Sequence, residues 1–174
     1  FCSNGMPGPL GAGLGGGADP NGTWTYGNPP ALHSPAYDPA ADQGGNYFYT
    51  VNGSGPCPNA TATVLVTETA APFAGGNNTY TFCSSDGAFN MFTALLQNPE
   101  SGGTWRRDGT PPTTHGAIYN PTVDSSGVFL YIRLGNGPCA SDTARLTVVE
   151  ARAPLAGGDA SIEVCPTDSQ VDLF

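Results

Sequence analysis

The sequence predicts an all-β chain made of tandem antiparallel β-sandwich units. Three observations carry this. Short runs rich in Val, Thr and Tyr alternate between apolar and polar residues, as in Ala144, Leu146 and Val148 against Arg145, Thr147 and Val149. Gly/Pro turns punctuate those runs at short intervals, and no segment has a convincing helical period. The chain also repeats itself.

The repeat is legible residue by residue. Pro29-Pro30, His33, Tyr37-Asp38-Pro39, Asp42, Gly45, Tyr49, Gly53 and Gly55-Pro56-Cys57 return as Pro111-Pro112, His115, Tyr119-Asn120-Pro121, Asp124, Gly127, Tyr131, Gly135 and Gly137-Pro138-Cys139. The offset is 82 residues (57 to 139). The match runs on through Thr61-Ala62, Val66, Glu68, Ala71-Pro72 and Ala74-Gly75-Gly76, against Thr143-Ala144, Val148, Glu150, Ala153-Pro154 and Ala156-Gly157-Gly158. Upstream, Gly22-Thr23-Trp24 matches Gly103-Thr104-Trp105. A period this long exceeds that of solenoids and suits a whole small domain used as a bead. The expected division is unit 1 over 1–70 without its first strand, unit 2 over 71–152, and the start of unit 3 over 153–174. Phe1 matches Phe82 and Phe174 matches Phe92, as in a window on a longer array.

Within unit 2 the elements follow in order. Thr79–Cys83 is the expected first strand, matched by Ser161–Cys165 in unit 3. Ala88–Leu95 is the second, entered from a Ser-Ser-Asp-Gly turn. Gly103–Arg107 is the third and carries Trp105. His115–Tyr119 is a short strand closed by Asn120-Pro121. Gly127–Leu134 is long and β-rich. Gly135-Asn136-Gly137-Pro138 turns into the last strand, Thr143–Glu150. In an immunoglobulin-like sandwich a Trp on the third strand is the central core residue, so Trp24 and Trp105 are read as core aromatics. Sugar stacking is the competing role for them. Met6–Gly17 is rich in Pro and Gly and makes a poor second strand for unit 1, so that segment is either irregular or an edge completed by something else.

Composition excludes several function classes. With 5 basic residues, all Arg, against 14 acidic ones, the net charge is -9. Such a chain repels phosphate backbones, so no nucleic-acid partner is expected. Gly (25) and Pro (17) approach the level at which disorder competes, but the aromatics and alternating runs argue for packed sheets. No run of eighteen apolar residues is present, so no membrane span is expected, and the opening Phe1-Cys2-Ser3-Asn4 is no signal peptide.

The five cysteines, Cys2, Cys57, Cys83, Cys139 and Cys165, suit an oxidising, extracellular compartment. Two pairing registers are natural. Cys2–Cys57 and Cys83–Cys139 would close each bead on itself, the preferred register. Cys57–Cys83 and Cys139–Cys165 would staple across the linkers. A contact between neighbouring beads or chains is a third arrangement. No CxxC occurs, so zinc is not expected.

Other motifs carry little chemistry. Gly11-x-Gly13-x-x-Gly16 fits a dinucleotide fingerprint formally, but it follows no strand and opens no helix. His33 and His115 have no nucleophile motif beside them and read as turn or strand-entry residues. No catalytic, cofactor-binding or metal residue is expected, and the chain is not read as an enzyme. Asp38, Asp42 and Asp124 sit in Tyr-(Asp/Asn)-Pro-x-x-Asp turns, where Asx side chains cap the backbone. Calcium is the one cofactor such ligands would suit, but the Asp spacing is too sparse for a known calcium motif. Asn21, Asn52, Asn59 and Asn77 head Asn-x-Ser/Thr triplets, read as chance.

The strand cysteine Cys83, Gly103-Thr104-Trp105, the Tyr119–Asp124 turn, Gly127–Tyr131 and Gly137–Ala144 together resemble the Ig-like and PKD-like tandem repeats of giant secreted cell-surface proteins of Bacteroidota, gliding adhesins among them. The resemblance spans nearly the whole chain. It implies a secreted, cell-surface structural module forming a stalk or filament, whose partners are neighbouring repeats of the same protein and possible self-assembly. The alternatives are an adhesin module binding glycans or surfaces, with Tyr26 as a candidate contact, and an accessory domain of a secreted enzyme. Asp142-Thr143-Ala144 resembles the O-glycosylation sequence of that phylum, which makes Thr143 a candidate modification site.

Overall fold

The computed structural model of the chain describes residues 1–159, 161–163 and 165. Among these residues all regular structure is β-strand and short 3-10 turns. The strands of the first half are β1 (Gly8–Pro9), β2 (Thr23–Tyr26), β3 (Ala31–His33), β4 (Ala36–Tyr37), β5 (Gly45–Val51) and β6 (Ala60–Val66). Those of the second are β7 (Asn78–Cys83), β8 (Phe89–Asn90), β9 (Thr104–Arg107), β10 (Thr113–His115), β11 (Ile118–Tyr119), β12 (Gly127–Arg133) and β13 (Asp142–Ala151). The first half forms a sheet of order β3-β2-β5-β6 and a small sheet β1-β4. The second forms β10-β9-β12-β13-β7 and the small sheet β11-β8.

Each half packs its two sheets on its own core. In the second half Phe82, Met91, Trp105, Tyr119, Phe129, Tyr131, Ala144, Leu146 and Val148 form one cluster. In the first half Leu10, Trp24, Tyr37, Tyr47, Val64 and Val66 do the same. The alternation along β13 explains its orientation: Ala144, Leu146 and Val148 are buried while Arg145 and Val149 are exposed. The Gly-Thr-Trp motif has a steric cause. Tyr131 accepts the Gly103 N–H at 2.7 Å and donates to the Glu100 carbonyl at 2.7 Å. Tyr49 does the same with Gly22 at 2.7 Å and Asp19 at 2.8 Å. A Cβ on either glycine would run into the tyrosine ring. Trp24 and Trp105 lie 4.9 and 5.1 Å from Tyr49 and Tyr131, ring centre to ring centre, and are buried.

Several expected elements differ in detail. The sheets are not purely antiparallel, because β7 runs parallel to β13, from Leu146↔Asn78 to Ala151↔Cys83. First and last strands can pair this way because the rest of the unit supplies the long crossover that parallel pairing needs. The expected second strand, Ala88–Leu95, is only the two-residue β8, followed by a 3-10 turn over Met91–Ala94. Asn90 caps that turn through its side chain, accepting the Phe92 N–H at 3.0 Å. Its counterpart in Met6–Gly17 folds the same way, as β1 and a 3-10 turn over Leu10–Gly13 with Leu10 buried. The expected strand His115–Tyr119 divides: His115 ends β10 in the large sheet, and Tyr119 sits on β11 in the small one. Half of the expected start of a third unit, 153–174, lies outside the described residues; in the expected strand Ser161–Cys165 the described residues 161–163 and 165 have no regular structure.

Candidate functional site

The two halves meet at a covalent junction. Cys2 and Cys139 form a disulfide across 137 positions, with Cα atoms 5.0 Å apart. This replaces both expected registers, Cys2–Cys57 with Cys83–Cys139 and the linker staple. It joins the first half of the chain to the second. The geometry gives the reason. Cys2 sits at the end of unit 1 that faces the linker, bridged in parallel to Thr69. Thr69 follows the C-terminal end of β6, whereas Cys57, at the tip of the β5–β6 connection, lies before its N-terminal end. The tip of the β12–β13 connection instead brings Cys139 down onto Thr69, whose carbonyl is 3.3 Å from Cys139 Sγ. Both bonded cysteines are buried, at 7% and 6% exposure. Cys57 is an exposed free thiol, Cys83 a half-buried one, and Cys165 is exposed.

Backbone contacts reinforce the junction. Thr69 N–H donates to the Phe1 carbonyl at 2.8 Å, Ser3 N–H to the Thr69 carbonyl at 2.9 Å, and Ala71 N–H to Ser3 Oγ at 2.9 Å. The linker is then pinned to unit 2. Ala74 N–H donates to Asp142 Oδ2 at 2.8 Å, and Gly76 pairs with Leu96. Gly75 has a φ of +94°, and a Cβ there would press on the Leu96 carbonyl and on Pro99, so glycine is required. This Pro/Gly segment between the two halves is therefore hydrogen-bonded at both ends.

A second duplicated feature is a His–Asp pair. His33 Nε2 lies 3.0 Å from Asp42 Oδ1, and His115 Nε2 lies 3.0 Å from Asp124 Oδ1. Each Nδ1 faces a carbonyl at 2.7 Å, of Ser34 or Gly116. The other carboxylate oxygens accept the N–H groups of Asp38 and Asn120, both at 2.7 Å. The Asp38 N–H, with the His33 contact, holds Asp42 below the usual carboxylate range. For Asp124, burial pushes the other way, but the Asn120 N–H and His115 outweigh it and its pKa is also lowered. The imidazoles stand edge-on to Tyr47 and Phe129, with ring centres 4.8 Å apart. These pairs brace a turn against the core. Asp38 caps the same turn by accepting the Ala40 N–H at 3.0 Å.

The remaining candidates fall into place individually. Thr143 is exposed on β13, and its N–H donates to Asp142 Oδ1 at 2.8 Å. Asp142 is thus already engaged by the backbone on both carboxylate oxygens. Tyr26 stacks on Tyr47 at 4.5 Å, and Arg107 sits 5.6 Å over Phe129, so the unlike residues at this matched position cover the same core ring place. Among the described residues no group of three His, Cys, Asp or Glu is arranged to hold a metal. No helix among them is long and apolar enough to cross a membrane. A groove of about 330 Å³ runs beside the edge of β6, lined by Phe1, Leu10, Gly13, Val64 and Val66. The matching edge of β13 is covered by β7.

No family model, curated protein or solved structure is matched by the chain.

Proposed function

We propose that the chain is a structural module of a secreted cell-surface protein, built of tandem immunoglobulin-like units and serving as a stalk or filament. The observation that carries this reading is the Cys2–Cys139 disulfide, which joins one unit to the next instead of closing either on itself. A bond in that place adds little to the core of either unit. It fixes the angle between units, which matters for a load-bearing or extended array. Disulfides persist in oxidising compartments, which supports a location outside the cell. The duplicated cores, the pinned linker and the structural engagement of His33, His115, Asp42 and Asp124 support the same reading. The likeness of its sequence motifs to surface repeats of Bacteroidota adds to it.

Electron microscopy of the protein released from its native cell surface tests this. Straight particles or fibres with a constant unit-to-unit spacing, lost after reduction, are the expected result. Compact isolated particles that ignore reduction would overturn it.

A further inference from the structure

Cys57 and Cys83, both outside the junction, are each held in the same surroundings as one half of the junction disulfide. The Cys57 tip has the conformation of the Cys139 tip. Cys57 N–H donates to the Ser54 carbonyl at 3.2 Å, and Cys139 N–H donates to the Asn136 carbonyl at 3.2 Å. Gly53 N–H is held by Asn59 Oδ1 at 3.0 Å, and Gly135 N–H by Ser141 Oγ at 2.9 Å. Gly55 and Gly137 have φ of +61° and +59°.

Cys83 in turn sits on a platform like that of Cys2. Cys83 pairs in parallel with Ala151 as Cys2 does with Thr69. Ser84 N–H donates to the Ala151 carbonyl at 2.8 Å, and Ala153 N–H to Ser84 Oγ at 2.8 Å. These bonds repeat Ser3 on Thr69 and Ala71 on Ser3. Gly157 repeats the +94° φ of Gly75. The platform is therefore complete before anything sits on it, and so is the tip. The difference lies in cover: Cys2 and Cys139 are buried by each other's unit, while Cys57 is exposed and Cys83 half-buried.

We infer that Cys83 and Cys57 are the two halves of a second inter-unit disulfide, formed head to tail between two copies of this chain, with the Gly53–Cys57 tip of one seated on the Ser84–Ala153 platform of the other. This rests on the stalk reading and extends it to a covalent polymer with one repeated junction. The chemistry needs a disulfide oxidant, such as oxidised glutathione. The exposed Cys57 thiolate attacks it, forming a mixed disulfide and releasing one small thiol. Cys83 thiolate then attacks the Cys57 sulfur, closing the inter-chain bond and releasing the second. Two protein thiols lose two protons and two electrons, and the small disulfide is reduced.

The test uses the full chain in a Cys165→Ser background. One preparation adds Cys57→Ser and the other Cys83→Ser. Each is oxidised alone and in equal mixture in a glutathione buffer, then resolved without reductant and mapped by peptide mass. Thiol counting confirms that Cys2–Cys139 is intact in both. The expected result is a covalent dimer in the mixture, at least tenfold above either preparation alone, containing the Cys57–Cys83 peptide pair. Symmetric Cys57–Cys57 or Cys83–Cys83 dimers at equal yield, or no cross-link, would overturn the inference. Either negative would leave the stalk reading to its own microscopy test, because the junction within the chain is untouched.

Discussion

The Tyr37 hydroxyl donates to Glu68 Oε2 at 2.8 Å, whereas Tyr119, at the matched place in the second unit, keeps its hydroxyl buried with no hydrogen-bond partner among the described residues. The nearby Ser126 hydroxyl accepts the Glu150 N–H at 3.0 Å. A buried, unpaired hydroxyl costs about 1–3 kcal/mol, and a satisfied one contributes about 1 kcal/mol. Tyr119→Phe is therefore expected to leave stability unchanged or raise it by up to about 1 kcal/mol. Tyr37→Phe, which removes the bond to the exposed Glu68, is expected to lower it by about 1 kcal/mol. Denaturant titration of the two variants checks the opposite signs.

The His–Asp turns predict an acid limb. Asp42 and Asp124 have folded pKa values below their ordinary 3.8. A carboxyl depressed in the folded state stabilises it above the unfolded pKa, and that contribution is lost as pH falls through the folded value. Stability should thus decline below about pH 4, where the unfolded chain takes up protons first. Asp42→Asn and Asp124→Asn should each flatten that decline while lowering stability at neutral pH. Thermal midpoints followed across acid pH give the comparison, and an unchanged slope in both variants would refute the assignment.

An alkaline limb follows from the core tyrosines. Burial pushes Tyr47 up to about 12, and burial together with Glu68 raises Tyr37 further. Folding then favours the protonated phenol. Its contribution is intact below the ordinary pKa of 10.0 and is lost as pH rises toward the folded value. Ultraviolet titration should show these two phenols ionising only as the protein unfolds. Tyr47→Phe should shift the alkaline transition upward. Phe129 already fills the matched place in unit 2 without a hydroxyl, so the ring alone is tolerated there.

Much of this was readable in the chain and some was not, for identifiable reasons. The long strands were legible because buried residues such as Tyr47, Val64, Phe129 and Leu146 are flanked by less buried neighbours on either side. The matched Pro-Pro, His and Tyr residues exposed the period. The β7–β13 parallel pairing was invisible, since period-two alternation gives a strand's faces but not its neighbour or direction. Ala88–Leu95 looked like one strand because Phe89, Met91 and Leu95 are apolar. The Asn90 cap that converts it into a 3-10 turn is a single residue. The His33–Asp42 contact was missed, though His and Asp recur nine residues apart in both units, and that paired spacing was the available signal. The disulfide register depends on how one unit docks on the next, and the spacing of cysteines carries no such information.

The junction itself makes the last prediction. The Cys2–Cys139 bond closes a loop over 137 positions, for which chain entropy alone would give about 5 kcal/mol. The two cores are separate clusters, so neither should need that bond to fold. Cys139→Ser is therefore expected to leave the β-sheet circular dichroism intact while freeing the units from each other. Hydrogen exchange should quicken at Ser3 and Thr69, whose N–H groups bond Thr69 and Phe1 at 2.9 and 2.8 Å. X-ray scattering should show a broader distribution of inter-unit distances. Asp142→Asn weakens the other tie, the 2.8 Å bond from Ala74, and should give the same broadening to a smaller degree. If Cys139→Ser changes neither exchange nor scattering, then the hydrogen-bonded linker alone fixes the angle, and the disulfide is dispensable for the arrangement of the two halves.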